Sequence, residues 1–266
     1  MRKKSDKSPV SAKKHLGQHF LRDLSIAQDI AESLQYHNGY AHLLEIGPGT
    51  GVLTDFLLKN TEIDFTAIEL DRESVAYLHT KYPDLKVIEG DFLHKDLNEL
   101  FDSQPFGIIG NFPYNISSQI FFKVLDFKDL VQEVVCMLQK EVAERLCSGP
   151  GKKDYGILSV FLQAYFTMEY LFTVQPHVFE PPPKVKSGVI RVKRNNVKDM
   201  GCNEILFRKV VKQAFSMRRK TLRNGLKPYG LPNEIMNLPF FDRRAEELGV
   251  DEYIKLTNDL EPYLVK

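Results

Sequence analysis

The stretch 43-LLEIGPGTGVLT-54 decides how this chain folds. Leu43 to Ile46 form an apolar run of strand length, and "GVLTDFLLKN" behind it has helical spacing. Between them lie Gly47, Gly49 and Gly51, which let the backbone approach a ligand closely. Working outward, "DFTAIEL", "LKVIEG" and "FGIIGN" read as buried strands, with "RESVAYLHTKY" as a helix among them. Strand–helix alternation of this kind makes a parallel sheet with right-handed crossovers. "DLVQEVVCMLQKEVAERLCS" adds a strand and a helix, "GILSVFLQAYF" a further helix, and "MEYLFTVQ" and "SGVIRVKR" the closing strands. Beyond residue 195 the pattern is helical throughout. The expected organisation is a flexible basic tail over 1–15, an α/β domain over 16–194 and a small helical domain over 195–266.

Of the 266 residues, 43% are hydrophobic, which suffices for a core and excludes a disordered chain. No apolar run has the length of a membrane span, and the N-terminus lacks the apolar core of a secretory signal. Cys136, Cys147 and Cys202 lie far apart, with no CxxC, HxH or HExxH pattern, so no metal site or disulfide framework is expected. A reducing cytoplasmic setting fits this usage. The net charge of +1 hides two basic blocks. Arg2, Lys3, Lys4, Lys7, Lys13 and Lys14 face only Asp6, and residues 207–227 carry eight cations and no acid. Such blocks suit a polyanion, although a solvated tail and helix face have the same composition.

A dinucleotide loop reads G-x-G-x-x-G. Here position 52 is Val and the third glycine comes one residue early, which argues against NAD and fits the loop of S-adenosylmethionine enzymes. Taken alone, the loop also serves as an ordinary strand–helix turn. Two acids strengthen the cofactor reading. Glu69 ends the second strand eighteen positions after Gly51, where a carboxylate takes ribose hydroxyls. Asp91 ends the third, placed to accept from an adenine amino group. All lie at the carboxyl ends of adjacent strands, where open α/β sheets bind ligands.

The fourth strand ends in "GNFPYNIS". An aromatic exocyclic amine is a poor nucleophile because its lone pair is delocalised into the ring. Two acceptors aimed at its N–H bonds favour a pyramidal nitrogen and stabilise the charge that develops. The Asn111 side-chain oxygen supplies one acceptor, and the Phe112 carbonyl, held by Pro113, the other. Tyr114 then stacks on the base. Positioning and fixed dipoles carry such a reaction, with no catalytic His or Cys. The competing assignment for this stretch is a helix cap with Tyr114 as packing.

From about His15 onward the chain resembles the small-subunit ribosomal RNA adenine dimethyltransferases. "KHLGQHFLRD", "LEIGPGTGVLT", "IELD", "EGDF", "GNFPYNISS", "LQKEVAERL", "FEPPPKVKS", "FSMRRKTLRNGL" and "RAEEL" match in order. The resemblance implies a Rossmann-like seven-stranded methyltransferase fold with a C-terminal helical domain. It implies that Gln18, His19 and Leu21 close over the donor, and that Gly47, Glu69, Asp91 and Asn111 hold it. Tyr114 and Phe179 would sandwich a flipped adenine. The substrate would be two adjacent adenines in the 3′-terminal hairpin loop of 16S rRNA, within an immature 30S particle, each dimethylated by a monomeric enzyme. Family members often have Asn at the position of His19, a small acid or amide at that of Lys186, and Arg at that of Ile157.

Within "FSMRRKTLRNGL", helical spacing puts Phe215 and Leu222 in a core and turns Arg218, Arg219, Lys220 and Arg223 toward phosphates. Two rivals share these motifs. One is the erythromycin-resistance type acting on large-subunit rRNA, against which "FEPPPKV" and "RRKTLRNGL" weigh. The other is an RNA-binding assembly factor with incidental activity. A DNA adenine methyltransferase lacks support, since no target-recognition domain is evident.

Overall fold

The computed structural model describes residues 9–264; Arg2, Lys3, Lys4 and Lys7 of the N-terminal basic block lie outside the described residues. The described residues contain nine strands: β1 Phe20–Leu21, β2 His42–Ile46, β3 Asp64–Glu69, β4 Lys86–Glu89, β5 Phe106–Asn111, β6 Val131–Gln139, β7 Phe166–Val174, β8 Phe179–Glu180 and β9 Ser187–Arg194. Seven form one sheet in the order β4-β3-β2-β5-β6-β9-β7. Strands β2 to β6 run parallel to one another, and β9 is antiparallel to β6. Parallel strands covered on both faces need continuous apolar runs. Accordingly, Leu43, Leu44, Ile46, Ile108, Ile109, Val134 and Val135 are all buried. Chain order reverses between β2 and β5, and a sheet of this kind binds ligands at that switch point.

The strand–helix order expected from sequence is present along this sheet, but β4, expected as a buried strand, is an edge strand with no buried residue. The small pair β1–β8 was not foreseen: Phe20 lies opposite Glu180 and Leu21 opposite Phe179, antiparallel. Two residues on each side are too few for periodicity to show. Part of the stretch expected as a flexible tail is structured. Val10 is buried, Lys14–Leu16 form a helical turn, and Lys13 is ion-paired to Asp71.

The described residues divide into two compact units. One runs up to Ala143 and resumes over Met168–Arg194; the other comprises Glu144–Thr167 and the chain from Asn195. The helical unit therefore takes in a segment that the sequence reading left with the sheet. Apolar packing explains it: Phe161, on the helix Ile157–Gln163, meets Phe207 of the helix Glu204–Ser216 at 6.1 Å between ring centroids. Tyr253 packs against both Phe207 and Phe215. The basic stretch is not one helix. The helix capped by Asn203 stops at Ser216, and a new short helix starts at Leu222. Phe215 and Leu222 are buried as expected, on two different helices.

Candidate active site

One cavity lies at the carboxyl edge of the parallel strands, lined by residues 15–21, the glycine loop, 68–70, 90–93 and 111–116. Its floor follows from the sequence. Gly47 and Gly49 have φ of +67° and +57°, a region L side chains rarely enter. A Cβ at Gly49 would lie 2.8 Å from the Phe20 ring, whereas one at Gly47 would meet nothing within 4 Å and would fill open space. The loop thus presents bare backbone to the cavity.

Glu69 is 5% exposed. Its Oε2 accepts from Gly49 N at 2.9 Å and its Oε1 from Asp71 N at 2.8 Å. Burial raises its pKa, and those two backbone donors oppose the rise. The same carboxylate therefore shapes the glycine loop and lines the cavity. Asp91 stands past β4, where its Oδ1 accepts from Leu93 N at 2.8 Å and starts the turn Phe92–His94. Lys123 steadies that turn by donating to the Leu93 carbonyl at 2.9 Å and to the Lys95 carbonyl.

Asn111 closes β5. Its Nδ2 donates to the His19 carbonyl at 3.0 Å, which leaves Oδ1 as an acceptor with no protein partner among the described residues. The Phe112 carbonyl likewise accepts no hydrogen bond among them, while Phe112 N donates to Met137 O at 2.9 Å. The Tyr114 hydroxyl is 2.6 Å from Ser187 Oγ, and its ring stacks on His19 at 5.5 Å. The His19 Nδ1–H donates to the Pro181 carbonyl at 2.7 Å, which fixes the tautomer when the ring is neutral.

Residues 13–21 cross the cavity as a strap. Asp71 anchors one end: it pairs with Lys13 and accepts from Gln18 Nε2 at 3.3 Å. Burial opposes its ionisation, but these donors outweigh burial and hold the carboxyl below its ordinary value. The β1–β8 pair anchors the other end. Three features of the site are not evident from the sequence. Lys13 and Asp71 form a latch that only the fold brings together. Ser187 orients Tyr114. Glu45, 1% exposed, sits in the cavity wall, and its signal was a lone acid inside an apolar strand.

Phe179 is not placed as expected. It does not line the cavity; at 4% exposure it is packed with Leu21, Val174 and Val189 in the core. Pairing of β8 with β1 directs its ring inward, opposite the solvent-facing Glu180.

A family model described as ribosomal RNA adenine dimethylase matches residues 10–258. The chain belongs to the ribosomal RNA adenine dimethylase family. It is 58% identical over 253 residues to the ribosomal RNA small subunit methyltransferase A of Cytophaga hutchinsonii, covering 94% of this chain and 98% of the relative. It is 54% identical to the protein of the same name from Bacteroides thetaiotaomicron, covering 96% of each. A dimethyladenosine transferase from Plasmodium falciparum has the same fold, with a TM-score of 0.75 at 24% identity, over 92% of this chain and 98% of that one. The 23S rRNA methyltransferase ErmE shares it at a TM-score of 0.65 and 23% identity, over 93% and 100%.

This dimethylase is a methyltransferase that uses S-adenosylmethionine, and the cavity fits that donor. Bare glycine backbone, a buried carboxylate on one adjacent strand and a second just past the next suit a nucleoside, and the unpartnered Asn111 amide oxygen lies in the lining of the same cavity.

The basic stretch of the dimethylase is only partly free. Arg218 donates to the Tyr155 carbonyl at 2.9 Å and to the Lys153 carbonyl, and faces Glu246 at 3.9 Å. Arg223 pairs with Asp242 at 2.8 Å. Arg219 and Lys220 are exposed on the break between helices. Arg218 therefore braces its own unit, contrary to the expectation of a phosphate contact. We expect Arg218→Ala to lower the melting temperature while leaving the salt dependence of RNA binding unchanged. We expect Arg219→Ala with Lys220→Ala to reduce the slope of log K against log salt by about two, one per lost phosphate contact. Filter binding across a salt series reads both.

Proposed function

We infer that this chain transfers methyl groups from S-adenosylmethionine to the N6 amines of two adjacent adenosines in the 3′-terminal hairpin loop of small-subunit rRNA, two to each. The reading rests on one observation above all: Asn111 Oδ1 and the Phe112 carbonyl stand unpartnered at the end of β5, beside the donor cavity. Family membership and identities above 50% to small-subunit methyltransferases support the substrate.

The donor, when bound, supplies a methyl group already activated on sulfur. The chain's residues do the rest. Glu69 and Asp91 fix the nucleoside. Asn111 and the Phe112 carbonyl accept from the target amine, favour its pyramidal form and stabilise its growing positive charge. Tyr114, held by Ser187, offers a stacking face worth about 1–3 kcal/mol to an extruded base. His19 covers one face of that ring, so a base stacks on the other face or displaces the imidazole. Loop adenines are already partly unstacked, which lowers the cost of extrusion. Arg219 and Lys220 contact phosphate. The enzyme works as a monomer on an immature 30S particle in the cytoplasm; among the described residues no helix is long and apolar enough to cross a membrane.

Methylation of purified small- and large-subunit rRNA with labelled donor, followed by mass spectrometry of the digests, tests this. Dimethyladenosine confined to the small-subunit loop is expected. Label in large-subunit RNA alone would assign the chain to the erythromycin-resistance type.

A further inference from the structure

Glu45 has no role in the chemistry above, yet it is a carboxyl in the donor cavity wall. It lies in the middle of an apolar strand, opposite Ala67 of β3 and Ile109 of β5. Its single hydrogen bond among the described residues comes from the Thr54 hydroxyl at 2.6 Å, onto Oε2. No donor reaches Oε1 among the described residues, and no cation is in contact with the carboxyl. A buried, singly bonded carboxyl is costly to ionise unless a cation arrives.

We infer that Glu45 is a proton-linked charge selector, ionised when the cationic donor fills the cavity and protonated when the neutral thioether by-product does. Donor and by-product differ chiefly by a methyl group and one positive charge. Methyl transfer breaks the C–S bond, forms a C–N6 bond, and leaves sulfur with its electron pair and no charge. The amine proton goes to solvent. Glu45 then takes a proton from solvent, and the cavity ceases to favour what it holds.

The groups around Glu45 agree with this. Glu69 on β3 and Asp55 on the helix behind the loop raise its pKa, while Thr54 and Lys81 lower it. Tyr82, above the same loop, is bonded to Asp55. Burial outweighs them all and pushes the carboxyl to about 8. Burial thus favours the protonated carboxyl at neutral pH, and a nearby cation draws the proton off.

Calorimetry of the full chain with S-adenosylmethionine, and separately S-adenosylhomocysteine, decides the matter. Each ligand is titrated in two buffers of different ionisation enthalpy, across the range around the carboxyl's pKa. The donor is expected to release protons near neutrality and to bind more tightly as pH rises, about tenfold for each unit by which it lowers the Glu45 pKa. The by-product is expected to release fewer protons and to bind with a flatter profile. Glu45→Gln should abolish that difference between the ligands, whereas Glu69, unaltered, keeps its own titration in both. Thr54→Val removes the one bond that favours the ionised form and should move the inflection to higher pH. Equal proton counts for the two ligands in the unaltered chain would overturn the assignment. So would a Glu45→Gln chain that keeps the difference. Should that variant fail to fold, an unmoved inflection in Thr54→Val does the same.

Discussion

Asn111→Ala should lower turnover by about 10²–10³-fold, the loss typical of a preorganised dipole aimed at developing charge. The substitution removes two things: the Oδ1 acceptor and the Nδ2 bond to the His19 carbonyl. Asn111→Asp separates them. It keeps an acceptor oxygen but has no N–H for the strap. If the acceptor carries catalysis, the Asp variant keeps more single-turnover rate than the Ala variant, and its loss appears mainly as weaker donor binding. RNA affinity, set by exposed cations elsewhere, should stay within a few-fold in both. An Ala variant with unaltered single-turnover rate would remove Asn111 from the mechanism.

The second large effect is on stability. Phe179→Ala should destabilise the fold by about 3–5 kcal/mol, the usual cost of emptying a buried aromatic site. Phe179→Leu should recover most of that, since it keeps apolar volume. A stacking platform would behave differently, because Leu would restore folding but not turnover. Denaturant melts beside single-turnover assays on both variants tell the roles apart. Loss of rate in Phe179→Leu at unchanged stability would return the ring to the base site.

A smaller effect concerns pH. The Glu45 carboxyl ionises at about 8 in the folded chain, against about 4.3 for an unperturbed Glu. Between these values the folded state holds the extra proton, so stability is fully present below the unfolded pKa and declines as pH rises. The slope is at most about 1.4 kcal/mol per pH unit. Melting temperatures of Glu45→Gln should vary less with pH over that window than those of the unaltered chain.

The sequence reading succeeded where one residue's place follows from local pattern. Gly47, Glu69, Asp91 and Asn111 each end or follow an apolar run, and parallel strands bring their carboxyl ends to one edge. It failed where side-chain direction depends on a distant partner. Phe179 points inward because Leu21 pairs with it, and nothing local to "FEPPP" reveals that. Arg218 looks like its neighbours in a basic run, yet the 152–155 loop claims its guanidinium. Residues 144–167 resemble a continuation of the sheet domain by order alone, although their apolar faces belong to the C-terminal helices.

The antiparallel contact between β1 and β8, with the His19 bond to Pro181 spanning 162 positions, has a consequence for biosynthesis. A ribosome that has made the glycine loop, Glu69 and Asn111 has made the floor of the donor site, yet the piece that fastens its roof has still to be made. Closing so long a loop is slow and comes late. A nascent chain stalled short of residue 179 should hold the donor weakly, so the enzyme gains its tight grip on the methyl source only once β8 has been made.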